Sequence, residues 1–437
     1  MTPPSAGDTL SASPEARPAL LEGHWLDFDE RHAISAINPA SVIEGDGRVL
    51  REFPDWLARH AALCPGGAAI GYMSYELAGE FEEVPIHAGG NIPILSFAYY
   101  PRIERLPMLD TSLPCPDRWA PSRITQDFDR EHFVADVGRI RHYIAAGDIY
   151  QANLTQRFAA QLDGLAPEDV YARLASARAP MRAFLRSPHA AIVSNSPERF
   201  FRVRGNRILA SPIKGTLARS SDAAEDRRRR RRLLASAKDR AENVMIVDLL
   251  RNDLGRICRY DSIDARLWQL DQLPHLFHLV SHVEGELKPQ AGASEIIRAL
   301  FPCGSITGAP KIRAMEILAE IERAPRGVSM GAIGIILGAP GSPEFEMDFS
   351  VAIRTMTIRE GIAEFNVGCG IVYDSEPEAE YDEMLLKARP LVEALGLKPA
   401  DAGNVNDRPM EAKSKFESPA VAAMSSSSLA HSRRFRR

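Results

Sequence analysis

The sequence predicts an α+β fold in which many short strands alternate with a few long amphipathic helices. The 437 residues are 45% hydrophobic and 25% charged, ordinary values for a globular chain with core for two or three domains or one large unit. Short apolar runs bounded by proline, glycine and polar turns recur along the chain. This alternation agrees with an α+β architecture, but it does not establish how the strands are arranged.

Composition argues against several classes of protein. The net charge is −5, which speaks against a general nucleic-acid partner, and no apolar run approaches the length of a membrane span. Residues 1–18 are small, polar and proline-rich, and they lack the basic-then-apolar order of a secretory signal. The five cysteines are scattered and show no metal-ligand spacing, so a reducing, cytoplasmic location is expected.

The chain is predicted to divide at a proline-rich connection, residues 102–126, which has few periodic positions. The N-terminal region then covers residues 19–120, and a larger domain covers residues 125–397. Residues 1–18 and 398–437 are predicted to be disordered, because small, polar and charged residues dominate them.

Long helices are predicted where apolar residues recur on one face. They cover residues 129–146, 236–250 and 376–397, with Gly147 as the cap of the first and Arg251–Gly255 closing the second. Strands are predicted where short apolar or alternating runs lie between turns. They include residues 71–77, 94–100, 149–158, 276–283, 330–337, 347–356 and 362–372. In the strand at 149–158, polar residues at every second position point one row at something wet, such as a site.

A lysine and a glutamate stand in two similar turns of the larger domain. Lys214 lies in Ser211–Thr216, which contains proline and glycine, and Glu198 lies in Ser194–Phe201. Short strands run into both turns, so the two side chains, on strand ends of one sheet, can face one pocket. From these residues alone, ordinary solvated surface side chains are the commoner outcome.

Two predicted helices each carry an acidic pair with a spacing of three residues, Asp239 with Glu242 and Glu380 with Glu383. Each pair shares a helix face. If the pairs face each other, they supply hard oxygen ligands without nitrogen or sulfur, which favours Mg²⁺ held partly through water. Two solvent-facing helix rims are the ordinary alternative.

Further polar and glycine positions point to a small polycarboxylate ligand. Arg354 is a lone charge after an apolar run, and a buried arginine needs a carboxylate, from the protein or from a substrate. The strand segment Gly368–Gly370 contains two glycines, which suggests close approach of backbone to a ligand. Taken with Lys214, Glu198 and the acidic pairs, these residues suggest a substrate bound by metal and arginine.

Two other patterns are interpreted as structural. Residues 304–311 superficially resemble a phosphate-binding loop, but Ala309 and Pro310 separate Gly308 from Lys311 and no serine or threonine follows. The segment 220–232 ends in six arginines. A solvated loop or helix start is favoured there over a docking patch for an acidic partner or nucleic acid.

Several ordered segments of the chain resemble the chorismate-utilising enzymes, which include anthranilate, aminodeoxychorismate, isochorismate and salicylate synthases. The resemblance covers residues 125–395 strongly and 20–100 weakly. It implies two antiparallel sheets packed face to face with helices on the outside. The matching segments are Gly147–Thr155, Ser196–Phe200, Pro212–Thr216, Ala237–Asp253, His278–Ser281, Gly304–Lys311, Gly368–Gly370 and Glu380–Lys387.

Two positions distinguish members of this group. Relatives that add water carry a lysine base at the position of Gln151, so glutamine argues against isochorismate and salicylate synthases. Anthranilate synthases usually carry alanine where this chain has Lys214, and the lysine resembles that of aminodeoxychorismate synthases. Component I of anthranilate synthase, from tryptophan biosynthesis, remains the alternative. A catalytically silent chorismate-binding subunit is a third possibility, against which the intact lysine and acidic pairs argue.

The resemblance implies a role for each matching residue. Lys214 would attack C2 of chorismate, Glu198 would protonate the departing C4 hydroxyl, and His278 would lie near the ring. Mg²⁺ would clamp the ring carboxylate, with Glu242 and Glu383 as direct ligands and Asp239 and Glu380 through water. The residues expected to hold the substrate carboxylates and hydroxyl are Gly215, Thr216, Thr307, Arg354, Gly368, Gly370 and Lys387.

The resemblance also implies partners and a product. Ammonia would come from a glutamine amidotransferase subunit, because the chain lacks a recognisable glutaminase set, and it would give 4-amino-4-deoxychorismate for 4-aminobenzoate and folate biosynthesis. No lyase segment follows residue 400. Ser329 departs from the aromatic residue that relatives often place near the enolpyruvyl group. Leu20–Gly23 is too weak a signal to predict tryptophan binding.

Overall fold

The computed structural model describes residues 14–27, 32–90, 92–107, 124–176, 178–272, 276–339, 341–342 and 345–397. The predicted disordered tail and residues 1–13 of the predicted disordered N-terminus lie outside the described residues, as does most of the predicted connection. Among the helices that are described, none is long and apolar enough to cross a membrane.

The described residues form both α-helices and strands, with short 3-10 turns between some of them. The α-helices of the described residues are α1 (Val49–Leu63), α2 (Arg130–Ala146), α3 (Pro167–Ala175), α4 (Ala223–Ala235), α5 (Ala237–Ile257), α6 (Ala293–Leu300), α7 (Lys311–Ile321) and α8 (Pro377–Ala394). The 3-10 turns are Pro14–Ala16, Trp25–Asp27, Tyr75–Glu80 and Gly304–Ile306.

The strands of the described residues are numbered in chain order. They are β1 (Ala19–Gly23), β2 (His32–Ala36), β3 (Ser41–Gly45), β4 (Ala68–Met73), β5 (Leu95–Tyr100), β6 (Glu104–Pro107), β7 (Ile124–Gln126), β8 (Gln151–Gln161), β9 (Met181–Arg186), β10 (Ala191–Ser196), β11 (Arg199–Arg204), β12 (Arg207–Ala210), β13 (Ile213–Ala218), β14 (Asp264–Gln272), β15 (Leu276–Glu286), β16 (Gly308–Ala309), β17 (Ala332–Leu337), β18 (Glu346–Val351), β19 (Thr355–Arg359) and β20 (Ile362–Ile371).

These strands form two antiparallel sheets. The first sheet has the order β16-β8-β20-β19-β10-β9-β1-β2-β6, with β7 also pairing with β8. The second has the order β13-β15-β12-β11-β18-β17-β4-β5-β3, with β14 also pairing with β15. Both sheets combine strands from the N-terminal region with strands from the larger predicted domain.

Alternating side chains build the layers of the fold. In β9, Ala183 packs in a core that joins the two sheets and also contains Ile192, Ile70 and Ile335. The next residue, Phe184, points to the opposite face of the first sheet, where α2, α3, α7 and α8 contribute to the core. A separate core lies under α1, α5 and α6 on the outer face of the second sheet. The predicted arrangement of two facing sheets with helices outside is therefore confirmed.

Two of the points where the chain passes from one sheet to the other are neighbours. β10 belongs to the first sheet and β11 to the second, and the single strand predicted at 347–356 is in fact two strands, β18 and β19, in different sheets. Arg354 has φ of 50° where that strand breaks. The crossings are tied by backbone bonds from Val351 N to Glu198 O, 3.1 Å, and from Asn195 N to Arg354 O, 3.1 Å. Glu198 and Arg354 thus lie side by side at the crossings.

Helix ends differ from the predictions where packing outweighs local signals. The helix predicted to close at Arg251–Gly255 continues to Ile257, because Leu254 and Ile257 are both buried against the second sheet. Helix α2 starts as predicted, with Asp129 accepting a hydrogen bond from the backbone of His132. The arginine-rich segment forms α4, which is anchored through Leu233.

Candidate active site

A cavity of about 190 Å³ lies beside the two crossings and is lined from both sheets. The first sheet contributes parts of β8 and β20, the second contributes the start of β13, and α8 closes another side. The lining residues are Asn153, Glu198, Ile213, Lys214, Ser305, Ile306, Met330, Ile353, Arg354, Asn366, Val367, Gly368, Gly370, Lys387 and Leu391. The structure therefore brings the predicted lysine and glutamate into one cavity, although they lie at a sheet crossing and on a strand rather than on two ends of one sheet.

Lys214 presents its amine to the cavity from the second residue of β13. Its side chain is 15% exposed, and Nζ lies 3.9 Å from Oε2 of Glu242 on α5. Gly215 follows with φ of +87°, and a Cβ there would lie 2.9 Å from Asp239 Cγ and 2.9 Å from Leu233 Cδ1. Glycine thus permits the turn of the chain and the close approach of two helices that hold the lysine in place.

Glu198 is poised to hold a proton near neutral pH. Burial raises the pKa of this carboxyl to about 7, although hydrogen bonds from the Ser305 side chain and the Ile213 backbone, together with the charge of Lys214, oppose the rise. The side chain and backbone of Glu198 are only 7% exposed. A carboxyl with such a pKa can donate a proton and later accept one.

The two glycines of β20 form a cavity wall without side chains. A Cβ on Gly370 would lie 2.7 Å from Gln151 Nε2 and 3.7 Å from Lys214 Nζ, and a Cβ on Gly368 would lie 2.5 Å from Leu154 O. The backbone of β20 is therefore open to a ligand beside the lysine amine. Gln151 is fully buried here, and neither polar atom of its amide has a hydrogen-bond partner among the described residues.

Arg354 offers a cation to the same cavity. None of the described residues gives its guanidinium a hydrogen-bond or ion-pair partner, and burial lowers its pKa. The charge of Arg354, after burial itself, also lowers the pKa of His278, which lies behind the cavity wall on β15. Lys387 adds a second cation at the side of the cavity, 2.8 Å from Glu383.

The predicted acidic pairs approach the cavity from α5 and α8. Burial raises the pKa of Glu242, and the negative charges of Asp239 and Glu380 add to this effect against the opposing lysines 214 and 238. Burial also acts to raise the pKa of Glu383, but the charge and hydrogen bond of Lys387, together with the charges of Lys238 and Lys214, hold that pKa below its ordinary value. Negative charge is thus concentrated where the acidic side chains of these two helices approach one another.

The donors at this point fit a hard divalent cation. Oxygens of Glu380 and Glu383 and the sulfur of Cys369 lie within 4.8 Å of one another. Burial raises the pKa of the Cys369 thiol to about 12, so the thiol stays protonated and is a poor ligand. The remaining donors are carboxylate oxygens, which suit Mg²⁺.

Other predicted substrate-binding residues do not line this cavity. Thr216 is exposed and pairs with His278 across β13 and β15. Thr307 is fully buried, and its hydroxyl donates to Cys303 O at 3.0 Å within its own turn. Ser329 is buried too and accepts a hydrogen bond from Asn366 N at 2.9 Å, so it braces β20 rather than facing the cavity.

Three polar residues of the cavity were not among the predicted site residues. Ser305 precedes Ile306 in the turn beside Glu198, whereas Asn153 and Asn366 stand on β8 and β20. The polar alternation of β8 was a usable signal for Asn153. For Ser305, the turn at 304–311 was recognised, but its irregular backbone gives no rule for which hydroxyl points inward.

Comparisons with known proteins agree with this geometry. Residues 14–393 match the family described as chorismate binding enzyme. Aminodeoxychorismate synthase component 1 of Escherichia coli K12 is 37% identical over 353 residues, covering 75% of this chain and 77% of that protein. An anthranilate synthase component I-like protein of Synechocystis is 33% identical over 391 residues, covering 83% and 78%.

A solved structure shares the architecture. Anthranilate synthase component I from Streptococcus pneumoniae superposes with a TM-score of 0.69 at 28% identity, covering 84% of this chain and 93% of that one. The shared fold, the family match over residues 14–393 and the sequence relatives all indicate the same family. The chain therefore belongs to the family of chorismate binding enzymes.

Proposed function

We propose that this protein is the chorismate-aminating component of an aminodeoxychorismate synthase and forms 4-amino-4-deoxychorismate from chorismate and ammonia. The observation that carries the proposal is the placement of the Lys214 amine and the Glu198 carboxyl in the lining of one cavity. An amine without a matched acid could not expel a hydroxyl, and an acid without an amine could not form a covalent intermediate.

In the first half of the proposed reaction, Lys214 Nζ forms a bond to C2 of the ring, both ring double bonds shift by one position towards C4, and the C4 hydroxyl leaves. Glu198 supplies the proton with which that hydroxyl departs as water. In the second half, ammonia bonds to C4, both double bonds shift back, and the Lys214 amine is expelled. The carboxylate of Glu198 takes the proton that ammonia loses, which restores the starting state.

Substrate binding in this proposal uses the remaining cavity walls. The free guanidinium of Arg354 and the amine of Lys387 would bind substrate carboxylates, which are the partners that a buried cation requires. The backbone of Gly368 and Gly370 would contact the ligand directly. His278 would lie near the ring from its place on β15, outside the cavity lining. Gly215, Thr216 and Thr307 would support the surrounding turns.

A divalent cation is part of the proposal. Glu242 and Glu383 would hold Mg²⁺ directly, with Asp239 and Glu380 acting through water. When bound, the ion supplies positive charge that clamps the ring carboxylate. The protein residues alone position the amine and the acid.

The nitrogen source in this proposal is a separate glutamine amidotransferase subunit, with free ammonia as a substitute. Aminodeoxychorismate synthase component 1 is the name of one relative, and a component implies a partner. A cytoplasmic location suits the free thiols of Cys64, Cys258, Cys303 and Cys369. The product would feed formation of 4-aminobenzoate by another enzyme.

The test incubates the protein with chorismate, Mg²⁺ and ammonium, and identifies products by mass spectrometry. The proposal expects an aminated product that retains the enolpyruvyl group, and intact-protein mass spectra of the quenched reaction should show an adduct at Lys214. K214M should lose the adduct and nearly all turnover. K288M, which changes a lysine outside the cavity, should keep both.

A different product would favour the alternative function. Release of pyruvate with a fluorescent ortho-amino product would assign the chain to anthranilate synthesis and contradict the proposal, since anthranilate synthase components are also among its relatives. Full turnover by K214M without any adduct would contradict the covalent route.

A further inference from the structure

Arg326 is a buried arginine outside the cavity that bonds to several of its walls. It is 2% exposed and lies between α7 and β17. Its Nε and Nη2 donate to the two oxygens of Glu322 at 2.8 and 2.7 Å, and its guanidinium lies 4.4 Å from the ring centre of Tyr75. The ion pair explains why the arginine can be buried.

The remaining donors of Arg326 reach backbone atoms of the cavity. Nη1 donates to Ile306 O at 2.7 Å, and Nη2 donates to Asn153 O at 2.8 Å. The backbone oxygen of Arg326 accepts from Asn366 Nδ2 at 2.7 Å. Because Ile306, Asn153 and Asn366 all line the cavity, one residue ties its turn, β8 and β20 together.

The turn held in this way carries a side chain that lines the cavity together with Glu198. Ser305 precedes Ile306 in the 3-10 turn Gly304–Ile306, and its hydroxyl favours the charged form of the Glu198 carboxyl. Ser305 Oγ also lies 3.3 Å from Cys303 Sγ. Fixing the carbonyl of Ile306 restricts the backbone that directs the Ser305 side chain. A planar guanidinium suits this task, because it bonds to Glu322, Ile306 and Asn153 in fixed directions at once.

We propose that Arg326 is a positioning residue that locks the Gly304–Ile306 turn so that the Ser305 hydroxyl stays directed at Glu198 in the cavity. This inference rests on the proposed role of Glu198 as the proton donor. Arg326 touches neither the cavity ligand nor the reacting atoms, and it acts through Ser305.

The proposal predicts the sign of a measurable change. The bond from Ser305 favours the charged carboxylate, so its loss raises the pKa of Glu198 further above about 7. The other groups facing Glu198 are the amine of Lys214, the thiol of Cys303 and the guanidinium of Arg354. They remain in every variant below, so a shift reports the Ser305 bond.

The experiment titrates the Glu198 carboxyl by infrared difference spectroscopy, with E198Q identifying its band. S305A should raise the pKa by about one unit, as expected for losing a hydrogen bond to a charged group. R326K, which keeps the charge but not the fork of donors, should raise it by a similar amount. The double variant should add nothing to S305A, because both changes remove the same bond.

The matched control is R182K. Arg182 is also buried, and its Nε lies 3.4 Å from Oε2 of Glu22, but it lies on β9 outside the cavity lining. This variant should leave the pKa of Glu198 unchanged even if it lowers the unfolding temperature as much as R326K. A purely structural role of Arg326 would make the two variants alike.

An unchanged pKa in R326K beside a raised pKa in S305A would overturn the proposal, as would an unchanged pKa in S305A. Should R326K not fold, E322Q loosens the same guanidinium and must raise the pKa in the same direction, so no rise would also count against the inference. The titration needs no turnover, and product analysis of the wild-type protein tests the proposed function separately.

Discussion

At the scale of single residues, the burial of Glu198 affects both its pKa and the stability of the protein. The folded protein raises the pKa of this carboxyl from 4.5 to about 7, with burial as the main cause. Between these two values the folded state keeps a proton that the unfolded state has lost. Stability therefore falls as pH rises through this window, and the loss is complete above the folded pKa.

We expect E198Q to remove this pH-dependent loss. Relative to the wild type, the variant should gain about 3 kcal/mol in free energy of unfolding between about pH 5 and about pH 8.5, since its amide has no charge to bury. Urea unfolding at the two pH values measures the difference. A stability gap between variant and wild type that stays constant with pH would contradict the assignment of the raised pKa to Glu198.

Substitutions of the two glycines in β20 should affect activity and stability differently. In G370A, the nearest atom to the new Cβ is the end of the Gln151 side chain, at 2.7 Å, which can move, but the methyl group enters the cavity beside Lys214. We expect turnover to fall by at least about tenfold with little change in unfolding temperature.

G368A is the matched comparison for this effect. Its Cβ would lie 2.5 Å from the backbone oxygen of Leu154, which cannot move without disturbing β8. We expect a loss of about 1–3 kcal/mol in free energy of unfolding. Equal effects of both variants on turnover and on unfolding temperature would show that the wall has no separate role in binding.

At the scale of elements, helices α5 and α8 bring together side chains that are far apart in sequence. Their acidic residues lie close enough for Glu380 to raise the pKa of Glu242. Such crowding disfavours the charged state unless a cation offsets it. The meeting of the two helices, rather than either pair alone, therefore produces a candidate ion site.

We expect Mg²⁺ to raise the unfolding temperature, because an ion that binds only the folded state stabilises it by mass action. E383Q should weaken Mg²⁺ binding by at least about tenfold in calorimetry. E393Q changes an exposed glutamate of the same helix and should have no effect. Equal binding by both variants would argue against a site on α8.

The sheet crossings explain which elements the sequence could predict. The residues at 347–356 form one apolar run, so periodicity alone indicates one strand, yet β18 and β19 pair in different sheets. The local sequence pattern indicates which face of a strand is buried. It does not indicate which other strand pairs with it. The order of strands in each sheet depends on such long-range pairings.

The site follows the same division between local and long-range information. Lys214 and Glu198 stand out because glycine and proline mark their turns, and the acidic pairs stand out through their helical spacing. Arg326 gave no signal in the sequence, since its partners Glu322, Ile306 and Asn153 meet only in the folded chain. In the turn at 304–311 the sequence predicts Thr307 as a site residue, but its hydroxyl bonds within the turn, and Ser305 lines the cavity instead.

At the scale of the whole molecule, the cavity joins the two sheets, so a ligand there contacts both. Arg354 lies at a crossing with a partly buried guanidinium that lacks a partner among the described residues, which is unfavourable in the unliganded state. A bound carboxylate would remove this penalty. Binding and folding are then coupled through one side chain.

We expect R354M to act with opposite signs in the two states. Without ligand it should be more stable than the wild type by about 1 kcal/mol, because a partly buried charge without a partner among the described residues is replaced by an apolar chain of similar length. Chorismate with Mg²⁺ should raise the unfolding temperature of the wild type and not that of R354M. R359M changes the arginine at the far end of the adjoining strand β19 and should keep the ligand-induced rise. Loss of the rise in R359M would show that the effect is not specific to Arg354.

Cys369 lies between the two wall glycines, with its sulfur on the helix side of β20, against Glu380 and Lys387. Its thiol is fully buried, and its pKa is raised to about 12. An alkylating reagent at neutral pH therefore reaches this sulfur only when β20 and α8 separate. The rate at which Cys369 is labelled therefore measures how often β20 and α8 separate. A ligand bound in the cavity should lower that rate.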